Sequence, residues 1–436
     1  MFIAFVAVTL ALISYLAIRQ WARTLRLSSA TVQNTLGEIS RHISLEEWDL
    51  AASKLIPLLE NKKGGKQAQL FHIQILRQEK AYTKARNLVL QAMRDYPEEL
   101  LFRLEEAKIL LKLGEYQEAL EAFHFCSPIL RTESDICAIA EAYLRCGYPT
   151  QCFDMIEPWL AHTKEGKFFA LAAWAHFSLK DFGKTIAYTQ QALELGYRTH
   201  KLMIQLGHAY RRYGNLAGAE QLFRSLLEKD AMDIAALLGL GACFQERGLY
   251  QKALLLYQAG PLWKKKDNRL LAEATLCALN IERYSHAEEY LQLLLEKEEP
   301  TSKILSYYGY CLEKQKKWQE AEQSYLRLIQ TFPSDPNGYR ALAWMFGVGL
   351  TQTLSKEQAL NFAHIALNIH ADALTWEILS ACEARIGNFS RAYEIQKFLS
   401  EHDQDRESRT RRQGALRRLR QQTPLTDDQI IHILVA

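Results

Sequence analysis

One small residue recurs along this chain at a nearly fixed interval, and that interval constrains the fold more than any other feature. Ala occupies positions 51, 85, 119, 219, 253, 287, 321, 359 and 392, and Cys152 and Thr185 fall on the same lattice. Successive spacings are 34, 34, 33, 33, 34, 34, 34, 34, 38 and 33 residues. Three residues before most of these points comes a bulky ring: Trp48, Tyr82, Tyr116, Phe182, Tyr250, Tyr284, Trp318 and Phe389. Twelve residues before most of them lies a small residue: Ala107, Ala140, Ala173, Gly207, Gly241, Thr275, Gly309 and Ser380. The period fits a repeated helical hairpin, in which small residues let two helices approach closely where they cross and the ring fills the gap to the next hairpin. Such a chain grows by stacking, so 436 residues need not divide into the several globular domains that length alone suggests.

The stretch Gly248-Leu249-Tyr250-Gln251-Lys252-Ala253 is one copy of the turn and the start of the second helix. With its neighbours it resembles the tetratricopeptide repeat (TPR) family. The resemblance implies an all-α TPR solenoid, a right-handed superhelix of about eleven hairpins, over residues 28–402. The first hairpin pairs a helix near 31–43 with one opened by Leu45-Glu46-Glu47-Trp48; Ile39 and Ile73 stand where the first two hairpins should carry a small residue. Pro97 and Pro333 fall between hairpins, where a missing N–H costs little. Gly114, Gly147, Gly214, Gly248 and Gly387 fall in the turns within hairpins, as helix stops. In the tenth hairpin Ala359 arrives four residues late, which predicts an extended loop over 346–355 with Ser355 as the N-cap of the next helix.

Residues 1–18 carry no charged side chain, and Arg19, Trp21, Arg23 and Arg26 follow. This pattern predicts an N-terminal transmembrane helix over 1–18, joined to the array by a basic interfacial linker over 19–27. The charge follows the apolar run, whereas a cleaved signal peptide carries it before. The arginine excess predicts a single-pass membrane protein whose TPR array faces the cytoplasm.

The formal net charge of +3 is small for this length, so no nucleic-acid partner is expected. Eight cysteines carry no Cys-x-x-Cys and no zinc spacing, and Cys243, Cys277, Cys311 and Cys382 share one repeat position. They read as small buried packers in a reducing compartment. Metalloprotease, phosphate-loop, hydrolase and dinucleotide motifs are all missing. No catalytic residue, metal, cofactor or small-molecule substrate is therefore expected, and the chain is not expected to be an enzyme. Residues 403–436 hold an Arg-rich run, Arg406 to Arg420, then a capping-box pattern at Thr426-Asp427-Asp428-Gln429 opening a short helix. That segment is either a cap on the last hairpin or an arm for acidic lipid or protein.

In the TPR fold the first helix of each hairpin lines a concave face, and the repeat register assigns side chains to it. The resemblance thus implies a basic patch of Lys201, Gln205, His208, Arg211 and Arg212, with Trp174 and Phe177 on one side and Tyr307 and Tyr310 further along. Glu246 and Glu273 lie between the two. Lys108 and Lys201 are isolated basic groove residues, and no Asn accompanies them, which argues against the carboxylate-gripping site of TPR co-chaperones. The expected partner is a protein that presents an acidic or extended peptide. The layout resembles bacterial inner-membrane TPR scaffolds of envelope or lipopolysaccharide assembly, although those often end in a Cys-x-x-Cys ribbon that is missing here. A secretion-system component, or a chaperone holding exported subunits, is the alternative; a periplasmic assembly factor follows if the topology is inverted.

Overall fold

A computed structural model of the protein describes residues 29–130, 132–259, 263, 267–351, 353–402 and 405–426. The expected span over 1–18, its linker over 19–27 and the short helix after Thr426 lie outside those residues. Among the described residues there are 23 α-helices and no strand, and no helix is long and apolar enough to cross a membrane. The chain divides into two compact units, Met1–Asn215 and Leu216–Ala436.

The first unit holds α1 (Ser29–Ser44), α2 (Trp48–Glu60), α3 (Gly65–Gln78), α4 (Tyr82–Asp95), α5 (Leu100–Leu113), α6 (Tyr116–Phe125), α7 (Glu133–Arg145), α8 (Pro149–Leu160), α9 (Gly166–Ser178), α10 (Phe182–Glu194) and α11 (His200–Arg212). The second holds α12 (Leu216–Lys229), α13 (Ile234–Glu246), α14 (Tyr250–Ala259), α15 (Asn268–Asn280), α16 (Tyr284–Lys297), α17 (Ser302–Lys314), α18 (Trp318–Thr331), α19 (Pro336–Val348), α20 (Lys356–Ile369), α21 (Ala373–Arg385), α22 (Phe389–His402) and α23 (Arg406–Arg420). Taken two by two in chain order, α1 to α22 match the eleven expected helix pairs. All eight rings of the lattice are the first residues of their helices. Every lattice Ala, with Cys152 and Thr185, is fully buried.

The crossing positions show how the two helices of a hairpin share a fixed volume. At Gly241 an added Cβ would lie 2.0 Å from the Tyr257 hydroxyl, and at Gly309 it would lie 2.4 Å from the Tyr325 ring. In each case the ring sixteen residues later occupies the space that the glycine leaves. Ile39 and Ile73, which break the small-residue pattern, are fully buried and share their clusters with Leu55 and Val89, the residues sixteen later. A larger side chain on the first helix is thus matched by a smaller one on the second, as close packing requires.

The turns explain why glycine is common there without being obligatory. Gly114, Gly147, Gly214, Gly248 and Gly387 all have positive φ, between 71° and 97°. Glu46, Lys80, Lys180, Glu282 and Lys316 take the same left-handed conformation at φ near 60° in five other turns. That geometry costs an L-residue roughly 1–2 kcal/mol, which the helices on either side must supply.

The tenth pair departs from expectation in one respect. The loop does not begin at Phe346, because α19 continues through Val348 and ends at Gly349, whose φ is 82°. Trp344, Met345 and Phe346 are buried in the core there, and that burial carries the helix on. The remaining loop is fastened: Thr351 and Thr353 donate their hydroxyls to the buried Glu322 carboxylate, Thr351 at 2.5 Å. Ser355 caps α20 in a capping box with Gln358.

Beyond the last pair, α23 packs along α22, with Ala415, Leu419 and Leu425 buried. Its arginines are used internally. Arg412 is buried and donates to Glu377 at 2.6 Å and to the Leu399 carbonyl at 3.2 Å. Arg420 donates to the Tyr393 hydroxyl at 2.8 Å, and Arg418 to the Pro424 carbonyl at 3.1 Å. The Arg-rich run therefore covers the last hairpin instead of standing free.

Candidate functional site

Within the first unit, α3, α5, α7, α9 and α11 each touch the next in the series, so the first helices of the pairs form one continuous face. Its polar residues fall into two groups. On α3, α5 and α7 they neutralise one another: Arg77 meets the buried Glu105 at 2.9 Å, and Lys108 meets Asp135 at 2.6 Å and Glu105 at 3.7 Å. Lys108 is therefore not an isolated groove cation. Its partner Asp135 comes from the next pair along, so local sequence does not reveal it.

Further along the same face Arg145 approaches Glu141 only at 3.9 Å, and among the described residues Lys167 and Lys201 make no ion pair. Lys201 holds its ammonium 3.2 Å from the centre of the Trp174 ring, and the Arg145 guanidinium lies 4.7 Å from the same ring. Cation–π attraction of this kind fixes both the indole and the charges. Together they wall a cavity of about 260 Å³ that is also lined by Glu141, Lys167, Tyr197, Thr199 and Gln205. Gln205 donates to the Ala173 carbonyl at 3.1 Å, tying α11 to α9 beneath it. Burial, then repulsion from Arg145, pushes the Lys201 ammonium below its usual pKa, with Glu141 opposing. Sequence reasoning had placed Lys201, Gln205 and Trp174 in this region but missed Glu141, Arg145 and Lys167. The signal was available, because Glu141 and Trp174 hold equivalent positions in adjacent repeats, as do Lys167 and Lys201, and Arg145 and Arg212 hold equivalent positions two repeats apart.

The other expected residues lie around this centre. His208 and Arg211 are half-buried and Arg212 is exposed, with its guanidinium 5.9 Å from the Phe182 ring. Phe177 packs edge-on against Phe182 at 5.6 Å. Tyr307 and Tyr310 belong to the second unit, where with Tyr284, Leu276, Leu279, Asn280 and Glu282 they line a separate cavity of about 340 Å³. Tyr310 is buried and meets Tyr284 edge-on at 6.0 Å. Seven of the nine expected residues thus fall in the first unit and Tyr307 and Tyr310 in the second.

Behind Trp174, His176 is buried with neither ring nitrogen hydrogen-bonded, stacked on Tyr188 at 5.4 Å and edge-on to Phe153 at 4.7 Å. Burial, with the nearby Lys184, holds its pKa below 6.5, while Asp181 opposes. His72 and His208 are shifted the same way, burial again being the main cause. A depressed histidine pKa leaves stability intact above 6.5. As pH falls below that value the unfolded chain takes up protons that the folded chain resists, and stability is lost. The thermal midpoint should therefore drop between about pH 7.5 and 5.5, and His176→Phe should lessen the drop. Parallel pH profiles for the two proteins would show that His176 is not responsible.

No group of three or more His, Cys, Asp or Glu suited to a metal occurs among the described residues. Seven of the eight cysteines are buried. Burial pushes the Cys126 and Cys277 thiols to about 11 and those of Cys137, Cys152 and Cys311 to about 12, so they are protonated packers and not nucleophiles. The face offers charge, aromatic rings and a cavity, which are means of recognition.

Three comparisons bear on the family. The model described as Tetratricopeptide repeat matches residues 76–124, 204–263 and 278–336. No curated protein is matched by the sequence. Among solved structures, a tetratricopeptide repeat protein from Parabacteroides merdae is 15% identical over 70% of this chain and 99% of its own, with a TM-score of 0.37. The C-terminal part of a TPR repeat-containing protein from Cytophaga hutchinsonii is 12% identical over 54% of this chain and 95% of its own, with a TM-score of 0.47. The APC/C hetero-tetramer Cut9-Hcn1 is 12% identical over 91% of both chains, with a TM-score of 0.42. The family model meets the same lattice of buried alanines and helix-opening rings, and tetratricopeptide repeats occur in this chain over those three stretches.

Proposed function

We propose that this protein is a membrane-anchored scaffold or adaptor that docks extended, acidic segments of partner proteins on the face formed by its first helices, in the service of envelope or membrane-complex assembly. The observation that carries the reading is the Arg145–Trp174–Lys201 cluster, two cations held on one indole at the wall of a cavity. Aromatic and arginine side chains dominate binding hot spots, and unneutralised charge steers an oppositely charged partner. Residues 1–18 serve as the anchor, and the arginines at 19, 23 and 26 place the repeats in the cytoplasm.

Capture of partners from detergent-solubilised membranes with the full chain as bait tests this. Arg145→Glu combined with Lys201→Glu should keep the helical circular dichroism, since Lys201 and Arg145 are both exposed, yet recover at least about tenfold less partner. Wild-type capture should weaken as salt rises. Removing residues 1–27 should release the protein from the membrane fraction without reducing capture. Unchanged recovery by the double variant would sink the docking reading, and persistence of the shortened chain in the membrane fraction would sink the anchor.

A further inference from the structure

We propose that the cavity beside Trp174 is a subsite for a phosphoryl monoester, the side chain of a phosphoserine or phosphothreonine in a docked protein segment. The inference rests on reading the first-helix face as a docking surface and narrows that reading to one chemical group.

Charge is the first argument. Arg145, Lys167 and Lys201 line the cavity against a single carboxylate, Glu141, and the closest approach of Glu141 to Arg145 is 3.9 Å. Among the described residues neither Lys167 nor Lys201 makes an ion pair. Lys108, on the same face, shows what the fold does with a groove cation that has no external ligand: it is met at 2.6 Å by Asp135. A carboxylate from a partner would leave the cavity with surplus positive charge. A phosphoryl monoester brings about −1.5 to −2 at neutral pH and balances it.

Geometry is the second argument. The Lys201 ammonium and the Arg145 guanidinium are 3.2 Å and 4.7 Å from one ring centre, so they lie no further apart than those two distances combined. A tetrahedral group with three acceptor oxygens, each reaching a charged donor at roughly 2.8 Å, bridges such a gap. Tyr197 stands at the wall, and burial raises its hydroxyl pKa, so it remains a donor. A cavity of about 260 Å³ admits the whole phosphorylated side chain. The depressed ammonium of Lys201 is consistent with a site whose charge is completed from outside.

The test uses the full chain in detergent and two tripeptides, glycyl-phosphoseryl-glycine and glycyl-glutamyl-glycine, with binding followed by calorimetry and by the Trp174 indole N–H resonance, assigned through Trp174→Phe. The phosphopeptide should bind at least about tenfold more tightly than the glutamyl peptide, and bound phosphopeptide should shift the Trp174 resonance. Lys201→Met and Arg145→Met should each weaken phosphopeptide binding about tenfold, Lys201→Arg should retain most of it, and Lys112→Met, at an exposed site outside the cavity, should change nothing. Equal affinity for the two peptides overturns the proposal, as does phosphopeptide binding that survives loss of both cations. A Trp174 shift produced by phosphatidic acid vesicles and not by the phosphopeptide also overturns it, and assigns the site to a lipid headgroup. If the phosphopeptide fails while Arg145→Glu with Lys201→Glu still abolishes partner capture, docking on this face stands and only the phosphoryl assignment falls.

Discussion

Gly241→Ile should be among the most damaging single substitutions in the array, and Tyr257→Leu in the same chain should restore most of what it costs. A Cβ at Gly241 would already lie 2.0 Å from the Tyr257 hydroxyl and 2.3 Å from its ring, so a branched side chain must displace a fully buried tyrosine. Overpacking of this kind costs on the order of 3 kcal/mol, well above the roughly 0.5–1 kcal/mol that replacing a helical glycine returns. The Tyr257 hydroxyl is buried without a hydrogen-bond partner, so trimming the ring to leucine gives up no polar contact. The paired change reproduces the arrangement already used at Ile39 with Leu55 and at Ile73 with Val89. Chemical denaturation of the two single variants and the double gives the coupling directly, because non-additivity is expected only for residues in contact. A wild-type midpoint for Gly241→Ile would refute the crossing register on which the fold description rests.

That register is what the sequence states most clearly. A period near 34 with a ring at the head of eight of the eleven second helices depends on contacts within one pair and the next, and most pairs repeat them, so the signal adds along the chain. The breaks in the pattern were harder to read. Ile39 and Ile73 look anomalous until their volume is set against the residue sixteen later, a correlation visible in sequence only once the crossing geometry is known. Phe346 to Val348 stay helical because Trp344, Met345 and Phe346 are buried, and burial decides against a loop where a glycine-rich run suggests one. The binding face was half legible. Trp174 and Lys201 follow from the repeat register, and Arg145 and Lys167 follow from it equally well. What the register cannot supply is which cations find partners. Lys108 is neutralised by Asp135, 27 residues later, whereas Lys201 meets an indole.

Arg412→Ala should release α23 and cost the last repeat about 3–5 kcal/mol, the range for stranding one member of a buried ion pair. Glu377 is fully buried on α21, and Arg412 on α23 is the closest charge to it, at 2.6 Å. Arg411 reaches the same oxygen only at 3.4 Å and remains half-buried. With Arg412 gone, the Glu377 carboxylate would have to stay in the core against that weaker partner or draw in water by lifting the helix. The Leu399 carbonyl would lose a donor as well. Glu377→Leu with Arg412→Leu should be neutral or even stabilising, because the desolvation of two charges disappears together with their attraction. Arg417→Gln, at an exposed position on the same helix, should stay within about 0.5 kcal/mol of wild type. Hydrogen exchange over residues 406–420 separates the cases: rapid exchange is expected in Arg412→Ala and wild-type protection in the paired leucine variant. Wild-type protection in Arg412→Ala would mean that the apolar seam of Ala415, Leu419 and Leu425 holds the cap without the ion pair. The expected result would instead show that a run of arginine resembling a free basic arm is held in place by one internal carboxylate.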